Sequence, residues 1–93
     1  MQILELDIAN PSGLHARPAA TLVQAANQAR AAVRLADAAE PDREVDAKSI
    51  LGVLSLGIVC GRRIRLTIVG EDELRVADAL RQLVASGLGE RLT

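Results

Sequence analysis

The chain has 93 residues, 49% of them apolar, with a net charge of −1, one histidine, one cysteine and no Phe, Tyr or Trp. That length makes one domain, residues 1–93, around a modest core that Leu, Ile, Val and Ala must build. The near-neutral charge and the lack of an aromatic platform for base stacking argue against nucleic acid as a partner.

A single cysteine, Cys60, cannot close an internal disulfide, which fits a reducing compartment. Met1 leads into a charged alternating segment without an apolar leader region, and no apolar run is long enough to span a bilayer. A soluble cytoplasmic domain without membrane insertion is expected.

Leu4, Leu6 and Ile8 alternate with Glu5 and Asp7, the pattern of a strand with one wet face. Asn10-Pro11-Ser12-Gly13 has the chemistry of a turn and ends it. Next comes Leu14-His15-Ala16-Arg17-Pro18, which contains the only histidine. Ala19, Leu22, Val23, Ala26 and Ala29 recur at helical spacing, predicting a helix from about Arg17 to about Arg30. Pro18 suits its first turn, where a missing N–H costs nothing. His15 is thus set within a turn of a helix N-terminus, where free amides and the macrodipole favour an anion. A titratable nucleophile, a neighbouring guanidinium and a helix start together describe a site for holding a phosphoryl group. Taken alone, such a histidine reads more readily as an exposed loop residue, because motifs this short recur by chance.

Val33 and Leu35 mark a second strand, and the polar or small segment Asp37 to Asp42, with Pro41, reads as a turn. Arg43, Glu44 and Val45 give a short third strand. Ser49 opens a short apolar helix as an N-cap, and Gly52 and Gly57 limit its length. Ile64, Leu66 and Ile68 alternate with Arg63, Arg65 and Thr67 in the clearest strand of the chain. Gly70 ends it, and Asp72 is the expected N-cap of a last helix with Val76, Ala77, Leu80, Leu83 and Val84 as its apolar stripe. Gly87 stands where a C′ glycine belongs. The order strand–helix–strand–strand–helix–strand–helix gives an α+β fold, one antiparallel sheet with helices on one face and water on the other.

Two stretches together, Gly13-Leu14-His15-Ala16-Arg17-Pro18-Ala19 and Lys48-Ser49-Ile50-Leu51-Gly52-Val53-Leu54-Ser55-Leu56-Gly57-Ile58, carry a resemblance. The sequence resembles the histidine-containing phosphocarrier protein (HPr) family of the bacterial sugar phosphotransferase system, over almost its whole length to Gly87-Leu88-Gly89-Glu90. The resemblance implies an open-faced α/β sandwich with a four-stranded sheet in the order 1-4-2-3 and three helices on one face. It implies His15 as phosphoacceptor at Nδ1, taking the group from phosphorylated enzyme I and passing it to enzyme IIA, with Arg17 as partner of the phosphoryl oxygens. The physics agrees: a neutral imidazole must attack, a helix N-terminus favours the uncharged ring, and Arg17 supplies planar donors suited to phosphate. A carrier is a substrate of two enzymes and not itself an enzyme, and it needs a light grip that does not trap the group. With one His and one Cys, no metal cluster, Walker loop or catalytic triad can be assembled, and no cofactor is expected.

In Gram-positive-type relatives the serine matching Ser49 is phosphorylated by a dedicated kinase, HPr kinase/phosphorylase, so regulation stands beside plain helix capping. A catabolite-control regulator is then a further partner. The family's docking surface for enzyme I and enzyme IIA falls on Ala16, Ala20, Ile50, Leu51 and Leu54; the alternative is that the three helix residues are core. Exposure is expected for Ile50 and Leu51, and Val53 goes to the core. The Asp37–Asp42 turn is longer than the family's usual spacing. Arg62, Arg63 and Arg65 read as a polar strand face before a basic patch, and Cys60 as a small packed hydrophobe before a reactive thiol. A monomeric carrier is expected. The rival readings are a regulatory binding protein acting through the Ser49 surface, and the HPr domain of a fused multiphosphoryl transfer protein. For the last, Arg91-Leu92-Thr93 would be a linker stub.

Overall fold

The structure, a computed structural model, describes residues 1–90; the stub Arg91-Leu92-Thr93 lies outside the described residues. The strands are β1 (Gln2–Asp7), β2 (Ala32–Asp37), β3 (Val45–Asp46) and β4 (Arg63–Val69), and the helices α1 (Ala16–Asn27), α2 (Ile50–Ser55) and α3 (Glu73–Ala85). All strand pairs are antiparallel and their order is β1-β4-β2-β3, as the resemblance implies.

Alternation decides which side each strand buries. Leu66 of β4 lies between Leu4 of β1 and Leu35 of β2 in the register, and Ile68 lies beside Val33. These side chains are all buried and face the apolar sides of the helices, where Leu22, Ala26, Val76, Leu80 and Val84 close the core. The other sheet face carries Glu5 beside Arg65, Asp7 beside Arg63, and Arg34 beside Thr67. Aliphatic side chains form the hydrophobic core, as the lack of aromatics requires.

The structure corrects four expectations. First, α1 stops at Asn27 and not near Arg30. The amides of Gln28 and Ala29 tighten onto Ala25 O and Ala26 O, and those of Arg30 and Ala31 donate to the Asp72 carboxylate. Second, Asp72 does stand at the N-cap position of α3, but its side chain makes no cap there. It ties α3 to the α1–β2 connection instead. The amide of Arg30 first, then that of Ala31 and the charge of Arg75, hold its carboxyl below the usual range. Third, β3 is Val45–Asp46, without Arg43 and Glu44. The Arg43 amide turns back to Glu40 O and its guanidinium donates to Ser55 O, so the long turn uses up the residues assigned to the strand. Fourth, Cys60 is exposed. Ile58 takes the core position in that turn, and the Cys60 thiol lies at the surface 3.5 Å from Ala9 O.

The arginines make no basic patch. Arg62 pairs with Asp37 at 2.5 Å, Arg63 pairs with Asp7 at 2.9 Å, and Arg65 lies half-buried on the open face between Glu5 and Ala36.

Candidate functional site

The β1–α1 loop is held from below by the turn that follows α2. Leu14 N donates to Ile58 O at 2.9 Å, and the Leu14 side chain is fully buried. Gly13 lies flat against the same segment with φ +62°. A Cβ there would stand 2.5 Å from Ile58 O and 2.7 Å from Val59 Cα, so glycine is required twice, by torsion and by space.

His15 comes next, half-buried, extended (φ −130°, ψ 164°) and at the N-cap position of α1. Its side chain does not cap the helix. Ala16 follows with φ +51°, a left-handed conformation unusual for a residue with a side chain. The amides that open a helix have no intrahelical acceptor, and Pro18 has no N–H, so Ala16 and Arg17 supply the first donors. Arg17 is exposed and Pro18 buried. An imidazole, the first amides of a helix and an exposed guanidinium therefore lie on neighbouring residues at the N-terminal end of α1, where the helix dipole is positive.

Ser49 caps α2 as expected, its Oγ accepting from Gly52 N at 3.1 Å. Leu51 is 77% exposed, Ile50 39% and Leu54 38%, whereas Val53 is fully buried. The alternative that all three are core is thereby excluded. Ala16 is exposed and Ala20 half-buried on α1. The C-terminal side of α2 is the side next to the histidine loop, through Ile58. Ser49 stands at the opposite end, about 9 Å away along the axis of a six-residue helix. The structure thus brings the α2 surface beside His15 while leaving Ser49 at its far edge.

Three participants escaped the sequence reading. Val59, 53% exposed, continues the apolar surface up to Gly13. Asn10 is fully buried under the loop, and its Nδ2 donates to Gly13 O at 2.8 Å. Glu90 lies just past α3 and accepts from Asn10 Nδ2 at 3.2 Å, Ser12 N at 2.9 Å and Ser12 Oγ at 2.7 Å. The Ser12 hydroxyl and amide, with help from Asn10 and the nearby charge of Arg17, hold the Glu90 carboxyl below its usual range. The signal available was the Gly87-Leu88-Gly89-Glu90 motif, which carries no local sign of where its carboxylate goes.

Among the described residues, no group of His, Cys, Asp or Glu could hold a metal ion, and no helix is long and apolar enough to cross a membrane.

Comparison with known proteins identifies the family. The family model described as PTS HPr component phosphorylation site matches residues 4–86. The chain is 41% identical over 83 residues to the phosphocarrier protein HPr of Cupriavidus necator, covering 89% of this chain and 90% of that protein. It is 37% identical over 83 residues to the multiphosphoryl transfer protein of Haemophilus influenzae. There it spans 89% of this chain but 17% of the relative, so it matches only a small part of that longer protein. Among solved structures, HPr-C-His from Thermoanaerobacter tengcongensis superposes with a TM-score of 0.91 at 37% identity, covering 98% of this chain and 99% of that one. A match across nearly the whole domain, in sequence and in fold, shows that the chain belongs to the HPr family, the phosphocarrier component of the phosphotransferase system.

Proposed function

We propose that this chain accepts a phosphoryl group at Nδ1 of His15 from phosphorylated enzyme I and hands it to an enzyme IIA domain for sugar uptake. The observation that carries this reading is the only imidazole of the chain, set at an uncapped helix start beside Arg17. The neutral ring nitrogen attacks phosphorus as the bond to the donor breaks. Arg17 and the Ala16 and Arg17 amides neutralise the charge spread over the phosphoryl oxygens. The same few contacts release the group in the second transfer. Enzyme I and enzyme IIA dock on Ala16, Ala20, Ile50, Leu51 and Leu54; the exposure of all but the half-buried Ala20 supports a shared apolar surface around the histidine. The chain acts as a monomer in the cytoplasm, as a single HPr domain, and the chemistry is the same if it is one domain of a fused multiphosphoryl transfer protein.

Ser49 supports a second reading. Its exposed hydroxyl at a helix start beside the apolar surface suits regulatory phosphorylation by an HPr kinase/phosphorylase, with a catabolite-control regulator as reader. The test of the main reading is labelling with enzyme I and phosphoenolpyruvate. Wild type is expected to give a product labile to acid and stable to base, and His15→Ala none. Label retained by His15→Ala would overturn the assignment.

A further inference from the structure

We propose that Glu90 is a positioning residue for phosphoryl transfer, a carboxylate clasp that fixes the loop carrying His15; this rests on His15 being the acceptor. Glu90 is 78 residues from Ser12 in the chain, yet both its oxygens are engaged by that loop. Oε2 takes the Ser12 hydroxyl, and Oε1 takes the Ser12 amide together with Asn10 Nδ2. Asn10 carries the contact inward, because the same Nδ2 donates to Gly13 O, two residues before His15. Its own Oδ1 is buried with no partner among the described residues. A buried amide that satisfies two acceptors and leaves its oxygen unpaired costs stability, and it is placed where it links Glu90 to the loop.

The approach of Glu90 is built with equal care. Gly87, Leu88 and Gly89 all have positive φ, at 92°, 54° and 89°, a run that reverses the chain after α3. Leu88 holds this conformation with its side chain fully buried. The Glu90 amide then donates to Gly87 O at 2.9 Å. The loop is therefore gripped from two sides, by Ile58 and Val59 beneath Gly13–Leu14 and by Glu90 across Asn10–Ser12.

The clasp touches no transferring atom. Its exposed hydrogen bonds to Ser12 contribute little to overall stability. What they restrict is the freedom of the two residues before Leu14, ahead of a histidine whose neighbour Ala16 is already strained. Transfer rates respond steeply to displacements of about 1 Å in a reacting group, so such a restraint acts on the rate of the chemical step. The clasp bonds to Asn10 and Ser12 and to none of the docking residues Ala16, Ala20, Ile50, Leu51 and Leu54, so binding of enzyme I should change little.

The experiment compares wild type, Glu90→Ala and Glu90→Gln with phosphorylated enzyme I, measuring kcat and KM together with hydrogen exchange at the Ser12 amide. Glu90→Ala is expected to lower kcat about tenfold with KM within about twofold. Ser12 exchange should rise while the amides of β4 keep their protection. Glu90→Gln retains an acceptor for the Ser12 amide and should fall between. Wild-type kcat in Glu90→Ala, a change confined to KM, or a loss of β4 protection that accounts for the lower rate would each overturn the proposal. Should the wild-type chain take no label, the His15 reading itself fails and the clasp's role in transfer falls with it. Normal labelling of wild type with an unaffected Glu90→Ala refutes the clasp alone.

Discussion

The helices α1 and α2 begin in opposite ways. Ser49 closes the start of α2 with its own hydroxyl, so the cap is satisfied before anything binds. His15 occupies the same structural position in α1, in the same extended backbone region, and leaves the helix start uncapped. A cap contributes about 1 kcal/mol, so α1 forgoes that stability at the terminus that carries the proposed acceptor. The difference teaches where to look for chemistry in a small domain. The satisfied terminus is finished structure, and the unsatisfied one, flanked by a strained Ala16 and an exposed Arg17, leaves its first amides without a side-chain acceptor.

Removing Arg17 should break the comparison hardest, because it takes away the guanidinium proposed to neutralise the phosphoryl oxygens at the α1 terminus. Arg17→Ala is expected to slow transfer in both directions by about 10²–10³-fold, with the unfolding midpoint almost unchanged since the side chain is exposed. Rapid-quench transfer kinetics and a thermal melt check both halves. A large stability loss with normal transfer would make Arg17 structural.

The support beneath the α1 terminus can be tested next. Gly13→Ala drives a Cβ into the backbone at Ile58 and Val59, at a left-handed torsion, and should cost about 2–4 kcal/mol. Gly57 has the same φ of +62° with nothing within 4 Å of its would-be Cβ. Gly57→Ala should therefore cost only the torsional part, about 1–2 kcal/mol. Equal losses in denaturant titrations would mean that the loop yields and Gly13 is not a fixed support.

At the closed terminus the effects are smaller and separable. Ser49→Ala should lose about 1 kcal/mol without altering His15 labelling. Ser49→Asp restores a capping acceptor and adds charge beside Ile50 and Leu51, so it should keep the midpoint and weaken enzyme I binding, less so at high salt. Titration calorimetry with enzyme I distinguishes the two variants, and unchanged affinity in Ser49→Asp leaves the serine a cap and no more.

The third helix start gives the mildest test. Asp72 sits at the N-cap position but spends its carboxylate on Arg30 N and Ala31 N. Its carboxyl titrates below the unfolded one, so its stabilisation is complete above the unfolded value of about 4 and is lost as pH falls through the lower folded value. Asp72→Asn should flatten the acid limb of the midpoint-against-pH curve, and an unchanged limb would show that the tether does not act through its charge.

Asp72 also shows how far the sequence could be read. Its location before an apolar stripe is a local pattern, and the helix begins there. Its partner lies some forty residues away in the chain, and no periodicity encodes such a pair. The alternation of Ile64, Leu66 and Ile68 and the cap at Ser49 were legible for the same local reason, whereas the outward Leu51 rested on the family resemblance. The sheet order came only with the family resemblance. The end of α1 and the roles of Asn10 and Glu90 were hidden because each depends on partners distant in the chain, and the start of β3 and the exposure of Cys60 because they depend on how their turns pack.

Strand order also governs when this molecule becomes whole. β1 is made first, yet its only ladder is with β4, where Asp7 meets Arg63 across 56 residues of chain. Synthesis at about 5–20 residues per second leaves Leu4, Leu6 and Ile8 without their sheet neighbour for several seconds. The loop bearing His15 waits equally long, since Ile58 and Glu90, which it rests against, are made late. Non-local pairing of this kind slows folding, and here it gives a temporal order. A nascent chain, or one broken before β4, has the histidine but not the late-made segments against which its loop rests.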